Sequence, residues 1–403
     1  MILSQEREPI RVLIIPDQPN RNIKSRSVEL ARYLASQPEY EVYVLSWRVR
    51  GRTHNSMLAR AWFKLEENLE SGSINMQIRP EKGLNWVRLP HLLVPFPIHQ
   101  DFNHKQLKKF VRKYKIQAVI SGNSYHFPMP KRKGMLRIYD LVDDHISPGS
   151  NPNWKRTRQF TIDELKKADH VLTSSHALLE ELKKLRYTNA LRISNGVDLA
   201  AFPSDNNDAV TAIRERYGLQ NSFTISYIGN HGWWAGMDFL LDAFSRVRVH
   251  VPNSRLLIVG PGEGLPEHQM QDPERPGVIY TGPISPDEVS AYFQASNLGV
   301  LPFTLCPFTN NAMPLKILEY GAAKKRVLAS PLKELTTIGF PHVELLEADK
   351  ALWSETLIEE AMNPKPWDPA WDDLINEYDW PRLWQPLEAV LKTQFGFADE
   401  TPL

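Results

Sequence analysis

The chain has 403 residues, 42% of them hydrophobic, 10% aromatic and 24% charged, enough for two or three domains at ~100–200 residues each. A formal net charge of +1 with this apolar content excludes a disordered chain, and no apolar run approaches the ~18 residues of a membrane span. Cys306 is the single cysteine, which excludes an intrachain disulfide framework and a cysteine metal cluster. The opening MILSQEREPIRVLII carries charges ahead of a short apolar run and does not read as a secretory signal, so the expectation is a reduced, cytoplasmic protein. The near-zero balance hides a split. Residues 1–195 hold 33 Lys and Arg against 19 Asp and Glu, whereas residues 196–403 hold 15 against 28. Two halves of opposite sign indicate either two units meeting different partners, the basic one an anionic surface, or two lobes attracting each other.

In chain order, RVLIIP (11–16) predicts a buried strand, a loop leads to a helix with Val28, Leu30, Ala31 and Leu34 on one face, and EVYVLSW (41–47) predicts a second strand. Strands follow at 86–90, 117–122 and 136–142, with a basic helix over HKQLKKFVRKYK (104–115). DELKKADHVLTSS (163–175) reads as helix then strand, and ALRISNGVD (190–198) as strand then turn. The second half repeats the alternation: strand 223–230, helix 237–252, strand and glycine turn 254–264, strand 278–284, helix 287–296, strand 298–303, helix 314–323 and strand 326–330. This pattern predicts an α/β protein of two doubly wound, Rossmann-like domains facing across a cleft. Their expected extents are 1–195 and 196–377, with a hinge near 195–204 and an amphipathic crossing helix and tail over 378–403.

Two clusters carry chemistry. In TNNAMPLKILEYGAAKKRVLAS (309–330), polar residues precede Pro314 in the first turn of a helix, whose free N–H groups favour an anionic phosphate. Asn310, Asn311 and Leu315 flank that turn, Lys316 adds a full charge, and Glu319 can accept hydrogen bonds from ribose or sugar hydroxyls. The plain structural alternative is a surface i, i+3 pair between Lys316 and Glu319. In YIGNHGWW (227–234), Gly229 follows a strand and permits close ligand approach, Asn230 and His231 offer donors, and Trp233 and Trp234 offer flat surfaces. GPGEG (260–264), with Gly262, is a second such turn without the full GxGxxG spacing.

These pieces, together with ADHVLTSSHALLEEL, RISNGVDLAAF and VIYTGPISPDEVSAYFQASNLGVLPF, resemble in order and spacing the C-terminal domain of group 1 GT-B glycosyltransferases over residues 165–392. PLKILEYGAAKK is similar to the branch that builds bacterial surface polysaccharides. The resemblance implies an enzyme of the glycosyltransferase class moving a sugar from a nucleotide diphosphate sugar to a glycan or lipid-linked acceptor. It departs at two places: Asn311 stands where many members have the first glutamate of a pair whose second matches Glu319, and Ala235 stands where many have a phosphate-gripping lysine.

For a general base, YDLVDDHISPG (139–149) offers Asp143 and Asp144 after a strand, where neighbouring carboxylates raise one another's pKa; Asp144 is favoured, and His126 is the alternative. The plain alternative is a turn or cap. The apolar and then cationic segment 91–115 reads as a patch for an anionic membrane, or as a loop and a solvated helix. The expectation is therefore a metal-independent, cofactor-free transferase, cytoplasmic at the inner face of the membrane, with no nucleic-acid partner. Two other readings stand beside it: a nucleotide-sugar epimerase or phosphorylase on the same fold, and a non-catalytic binder of sugar nucleotides or polysaccharide.

Overall fold

The computed structural model describes residues 8–17, 25–47, 76–90, 98–122, 126–148, 154–203, 207–262, 270–272 and 274–396. It divides into two compact units, one of Met1–Thr173, Glu181–Ile193 and Trp384–Leu403, the other of Ser174–Glu180 and Ser194–Leu383.

In the first unit β1 (Ile10–Ile15), β2 (Tyr40–Leu45), β4 (Leu84–Arg88), β5 (Ala118–Ser121), β6 (Leu136–Leu141), β7 (His170–Thr173) and β8 (Ala190–Arg192) run parallel, and β3 (Gln77–Glu81) is antiparallel at the edge. The sheet order is β3-β4-β2-β1-β5-β6-β7-β8. Sequences such as IRVLII suit strands covered on both faces, and Val12, Leu13 and Ile15 are fully buried. β3 was not expected from the sequence because QIRPE is polar and contains a proline. It is tolerated at an edge, and Lys82 and Gly83, both at positive φ, make the two-residue turn into β4.

Two helices start earlier than their charge patterns predicted. The basic one spans Ile98–Lys113, and the one before β7 spans Trp154–Leu165, so the lysines and alanine that follow it form a turn rather than helix. Arg26, first residue of the helix Arg26–Ala35, pairs with Asp140 at 3.0 Å, and both side chains are buried. The Arg26 guanidinium lies 4.8 Å from the ring centroid of Trp384, which sits in the helix Trp380–Phe395 and is fully buried. Tyr33 of the same first-unit helix donates to Glu388.

The second unit repeats the plan with β9 (Phe223–Ile228), β10 (Ser254–Val259), β11 (Met270–Gln271), β12 (Val278–Tyr280), β13 (Leu298–Leu301), β14 (Arg326–Ala329) and β15 (Val343–Leu345), ordered β11-β12-β10-β9-β13-β14-β15. Only β11 is antiparallel. Setting aside the edge additions, both sheets have the doubly wound order in which the first strand stands between the second and the fourth. Helices unassigned by the sequence reading include Asn207–Arg216, Lys350–Met362 and Asp372–Asn376. The core holds Phe293, Tyr320 and Trp353, all fully buried; the Tyr320 hydroxyl donates to the Ser226 carbonyl at 2.6 Å.

Candidate functional site

Ligands of doubly wound sheets sit beyond the strand carboxyl ends, at the point where strand order reverses. In the second unit that point lies between β9 and β13, where Leu298 pairs with Ile225. The turn after β9 begins at Gly229, whose φ of +149° disfavours a side chain. A Cβ there would stand 3.1 Å from Lys316 Cε, so the lysine stem lies directly over this backbone. Gly260, after β10, is equally constrained, because a Cβ would stand 2.4 Å from the Gly229 carbonyl oxygen. The turns are joined by Gly229 N to Val259 O at 2.9 Å, His231 N to Pro261 O at 3.0 Å and a bridge between His231 and Gly262.

Asn230 is exposed and its carbonyl accepts from the Tyr227 hydroxyl at 3.0 Å. His231 is 5% exposed, its ring 5.0 Å from that of Tyr227. Burial lowers its pKa from 6.5 to about 4, against a smaller opposing pull from the Pro261 carbonyl. At neutral pH it is therefore an uncharged imidazole with one nitrogen drawn to that carbonyl, leaving the other as a polar atom beside the turn.

The second strand end leads to Pro307–Asn310, a short helix closed by a capping box between Cys306 and Thr309, with Asn310 N donating to Cys306 O at 2.9 Å. Pro314 is the N-cap of the helix Leu315–Ala322 rather than part of its first turn as expected. Its φ of −68° and ψ of 112° suit the entry, and Ile317 N reaches back to Pro314 O at 3.2 Å, leaving the Leu315 and Lys316 amides at the helix start. Lys316 Nζ lies 2.8 Å from Glu319 Oε2 and 5.7 Å from the Phe293 ring centroid, and its side chain keeps 27% exposure. The i, i+3 pair predicted as the plain alternative exists, and the lysine stem that carries it runs over Gly229 at a helix N-terminus.

Residues that the sequence reading passed over hold this turn in place. Ser175 Oγ donates to the Asn311 carbonyl at 2.5 Å, and Asn195 Nδ2 to the Met313 carbonyl at 2.7 Å. Asn311 itself is buried. Next to Ser175, His176 donates its amide to Glu334 Oε2 at 2.8 Å and sets Nδ1 3.0 Å from Oε1. Ser175 stood out only as the end of a strand, His176 only within the segment ADHVLTSSHALLEEL, and Asn195 only as part of a hinge; their partners lie more than 100 positions away, beyond any local pattern.

In the first unit Asp143, Asp144 and His126 occupy loops beyond β6 and β5. Asp144 is 0% exposed, and its Oδ1 accepts from Ile146 N at 3.0 Å and Ser147 N at 2.8 Å. That is the cap arrangement given above as the plain alternative, and it commits the carboxylate to the loop. Asp143 keeps partial exposure, and its pKa is raised, first by burial and then by the charges of Asp144 and Asp140 against the opposing pull of His145. Of the two, Asp144 is the one whose carboxylate is taken up by loop amides, and Asp143 is the residue that keeps partial exposure. His126 packs its ring 5.9 Å from Trp47, and its carbonyl accepts from Asn103 Nδ2 at 3.3 Å. Among the described residues no group of three or more His, Cys, Asp or Glu is placed to hold a metal ion.

Residues 222–354 match the family model described as glycosyl transferases group 1. A putative teichuronic acid biosynthesis glycosyltransferase, TuaH of Bacillus subtilis (strain 168), is 28% identical over 191 residues, 46% of this chain and 46% of that protein, so the chain matches about half the length of this curated relative. Sucrose-phosphate synthase from Thermosynechococcus elongatus superposes with a TM-score of 0.71 at 14% identity, over 96% of this chain and 100% of that one. A glycosyltransferase from Rickettsia africae ESF-5 gives 0.65 at 15%, over 97% and 100%. Anabaena HepE in complex with UDP-glucose gives 0.66 at 13%, over 95% and 100%. At these identities the solved structures speak to the fold alone, and that fold is GT-B. Gly229, His231 and Lys316 therefore all lie in the segment that resembles group 1 glycosyl transferases, in a chain with the GT-B fold.

Proposed function

We propose that the chain is a glycosyltransferase that moves a sugar from a nucleoside diphosphate sugar to a glycan or lipid-linked acceptor in bacterial surface polysaccharide synthesis. The observation that carries this reading is Lys316 in the first turn of the helix Leu315–Ala322, its stem laid over Gly229 and its side chain still partly open. An anion leaving that point would meet a full positive charge and the two amides of the helix start. The resemblance to a teichuronic acid glycosyltransferase and to a protein solved with UDP-glucose supports the donor and acceptor classes.

In this reading Gly229, Asn230, His231 and Gly262 line the donor, with Asn310, Asn311, Pro314 and Leu315 shaping the turn under its phosphates. Glu319 accepts from sugar or ribose hydroxyls. The acceptor oxygen bonds to the anomeric carbon while the bond to the diphosphate oxygen breaks, and the electron pair leaves with the nucleoside diphosphate. Asp143 takes the acceptor proton, its raised pKa suiting a base. Lys316 and the helix start meet the leaving charge without a metal ion, and no cofactor takes part.

We place the protein in the cytoplasm against an anionic membrane. Among the described residues no helix is long and apolar enough to cross a bilayer. Lys105, Lys109, Arg112 and Lys113 lie exposed on the helix Ile98–Lys113, and exposed Lys131 and Lys133 join them because Arg132 Nη1 reaches the Ile116 carbonyl at 3.2 Å. Such a cluster gains about 1 kcal/mol per cation near an anionic surface. The apolar stretch 91–97 lies outside the described residues.

Thermal melting against UDP, GDP, ADP and dTDP and their common sugars tests the donor. At ~100 times its dissociation constant a ligand adds about 2.7 kcal/mol, readily visible in a melt. Stabilisation by one nucleotide series with turnover onto a glycan supports the reading. A folded protein indifferent to every nucleotide overturns it, and binding without transfer replaces it with a non-catalytic binder.

A further inference from the structure

The same loops that carry the donor-site residues leave large apolar side chains in water. Trp233 is 52% exposed and Leu305 42%, two of the five exposed large hydrophobics among the described residues. They belong to different loops, one after β9 and one after β13, joined where Thr304 N donates to the Trp234 carbonyl at 2.9 Å. Thr309 Oγ1 fixes the second loop by donating to Thr304 O at 2.7 Å.

Three rings meet at that junction. Trp234 packs on Phe308 with centroids 5.3 Å apart, Trp233 stands perpendicular to Trp234 at 5.9 Å, and Trp233 lies 6.3 Å from Phe308, tilted by 40°. Trp234 folds back over its own loop so closely that a Cβ on Gly232 would stand 2.1 Å from its ring. Only glycine at 232 permits this. Trp234 is therefore a buttress, and Trp233 is held by it rather than by the core. Immobilising an indole in water gains nothing by itself, since full burial of such a ring is worth several times more. The ordering cost is already met before a ligand arrives, which is the condition for an efficient platform.

Composition and position indicate what the platform takes. No cation lies among 232–235 or 304–309 to draw an anionic lipid. The surface is about one or two rings wide, flanked by exposed Thr304 and Pro307. Two residues before Trp233 stands buried, uncharged His231, one nitrogen drawn to the Pro261 carbonyl, and two residues after Phe308 the Asn310–Asn311 turn begins. A pyranose matches that combination: one face of C–H groups for an aromatic ring, and hydroxyls for polar atoms at its edge. We propose that Trp233, backed by Trp234 and Phe308, is the stacking platform for a pyranose ring of the glycan acceptor, beside the donor site. This rests on the transferase reading and adds to it that the acceptor is gripped through a sugar rather than through a lipid alone.

The test uses the full chain and a panel of methyl pyranosides (gluco, galacto, N-acetylglucosamine and glucuronic forms) with UDP present. Saturation-transfer NMR reports ring C–H contact, and melting with UDP-glucose runs in parallel. The expected result is a pyranoside signal in the wild type, lost in Trp233→Ala and kept in Trp233→Phe, with an unchanged UDP-glucose shift in both variants. An equal signal from wild type and Trp233→Ala overturns the platform, as does silence from every pyranoside while UDP-glucose still raises the melting temperature. A Trp233-dependent signal without any nucleotide shift keeps the platform and removes the donor reading.

Discussion

The two units share a strand order and treat the charges at their strand ends in opposite ways. In the first, Arg26 and Asp140 are buried against each other under Trp384, and Asp17 is tied to Ser27 by a hydroxyl donated at 2.9 Å. In the second, Lys316 and Glu319 pair just as closely but remain partly open, beside a glycine turn. Both units place an ion pair near the point where strand order reverses, so the pair itself says little about function. What separates them is access: a sealed pair has spent its charge on the fold, and a half-open one can still trade its partner for a ligand.

That contrast can be broken or sharpened by substitution, and the largest effect is expected within the first unit. Asp143→Asn should lower kcat by about 10²–10⁴ with donor affinity intact. Asp144→Asn should instead reduce stability through the loop it caps and leave the turnover of folded enzyme nearly unchanged; steady-state kinetics beside chemical melts separates the two. Next comes Arg26→Met, which strands a buried carboxylate and should cost about 3–5 kcal/mol in urea unfolding, most of it recovered by adding Asp140→Leu. The second unit has a sealed group of its own in His342, fully buried, its Nε2 3.1 Å from the Ile317 carbonyl and its pKa lowered by burial from 6.5 to about 4. Above 6.5 it is neutral in folded and unfolded chains alike. Below that the unfolded chain takes a proton that the folded one refuses until about 4, so stability falls across this window by about 3 kcal/mol. His342→Gln should remove its share of that acid limb in melts recorded from pH 7 to pH 4, leaving the share of His231. The smallest effect on the fold belongs to the open pair: Lys316→Ala should weaken nucleoside diphosphate binding by about 1.5–3 kcal/mol in calorimetry while the melting temperature barely moves.

Strands of the IRVLII type announce themselves because burial on both faces needs a continuous apolar run, and the regular spacing of helices between them made two doubly wound sheets legible. The Gly229 turn, Lys316 and Glu319 were legible for a similar reason, since a strand, a glycine and a helix start are local features. Asp143 and Asp144 were not separable in the sequence. Adjacent identical residues differ only in which one the chain turns inward, and that is decided by Ile146 and Ser147 amides no pattern reveals. Ser175 and Asn195 escaped because their work consists of bonds to carbonyls, which every residue possesses. The burial of the His231 imidazole is a fact of three dimensions alone.

The helix Trp380–Phe395 carries a consequence for how such a chain can be cut and recombined. Trp384 and Glu388 belong with Arg26 and Tyr33, more than 350 positions away in the case of Tyr33. Expressing residues 1–195 alone would leave an indole-sized hole above a buried ion pair, and a fragment ending before Trp384 would do the same. Exchange of the first unit between relatives therefore requires at least two crossovers, one on each side of the second. Inheritance of the two units is thereby coupled, so that a new first unit must arrive with its own last helix or be accepted by the old one.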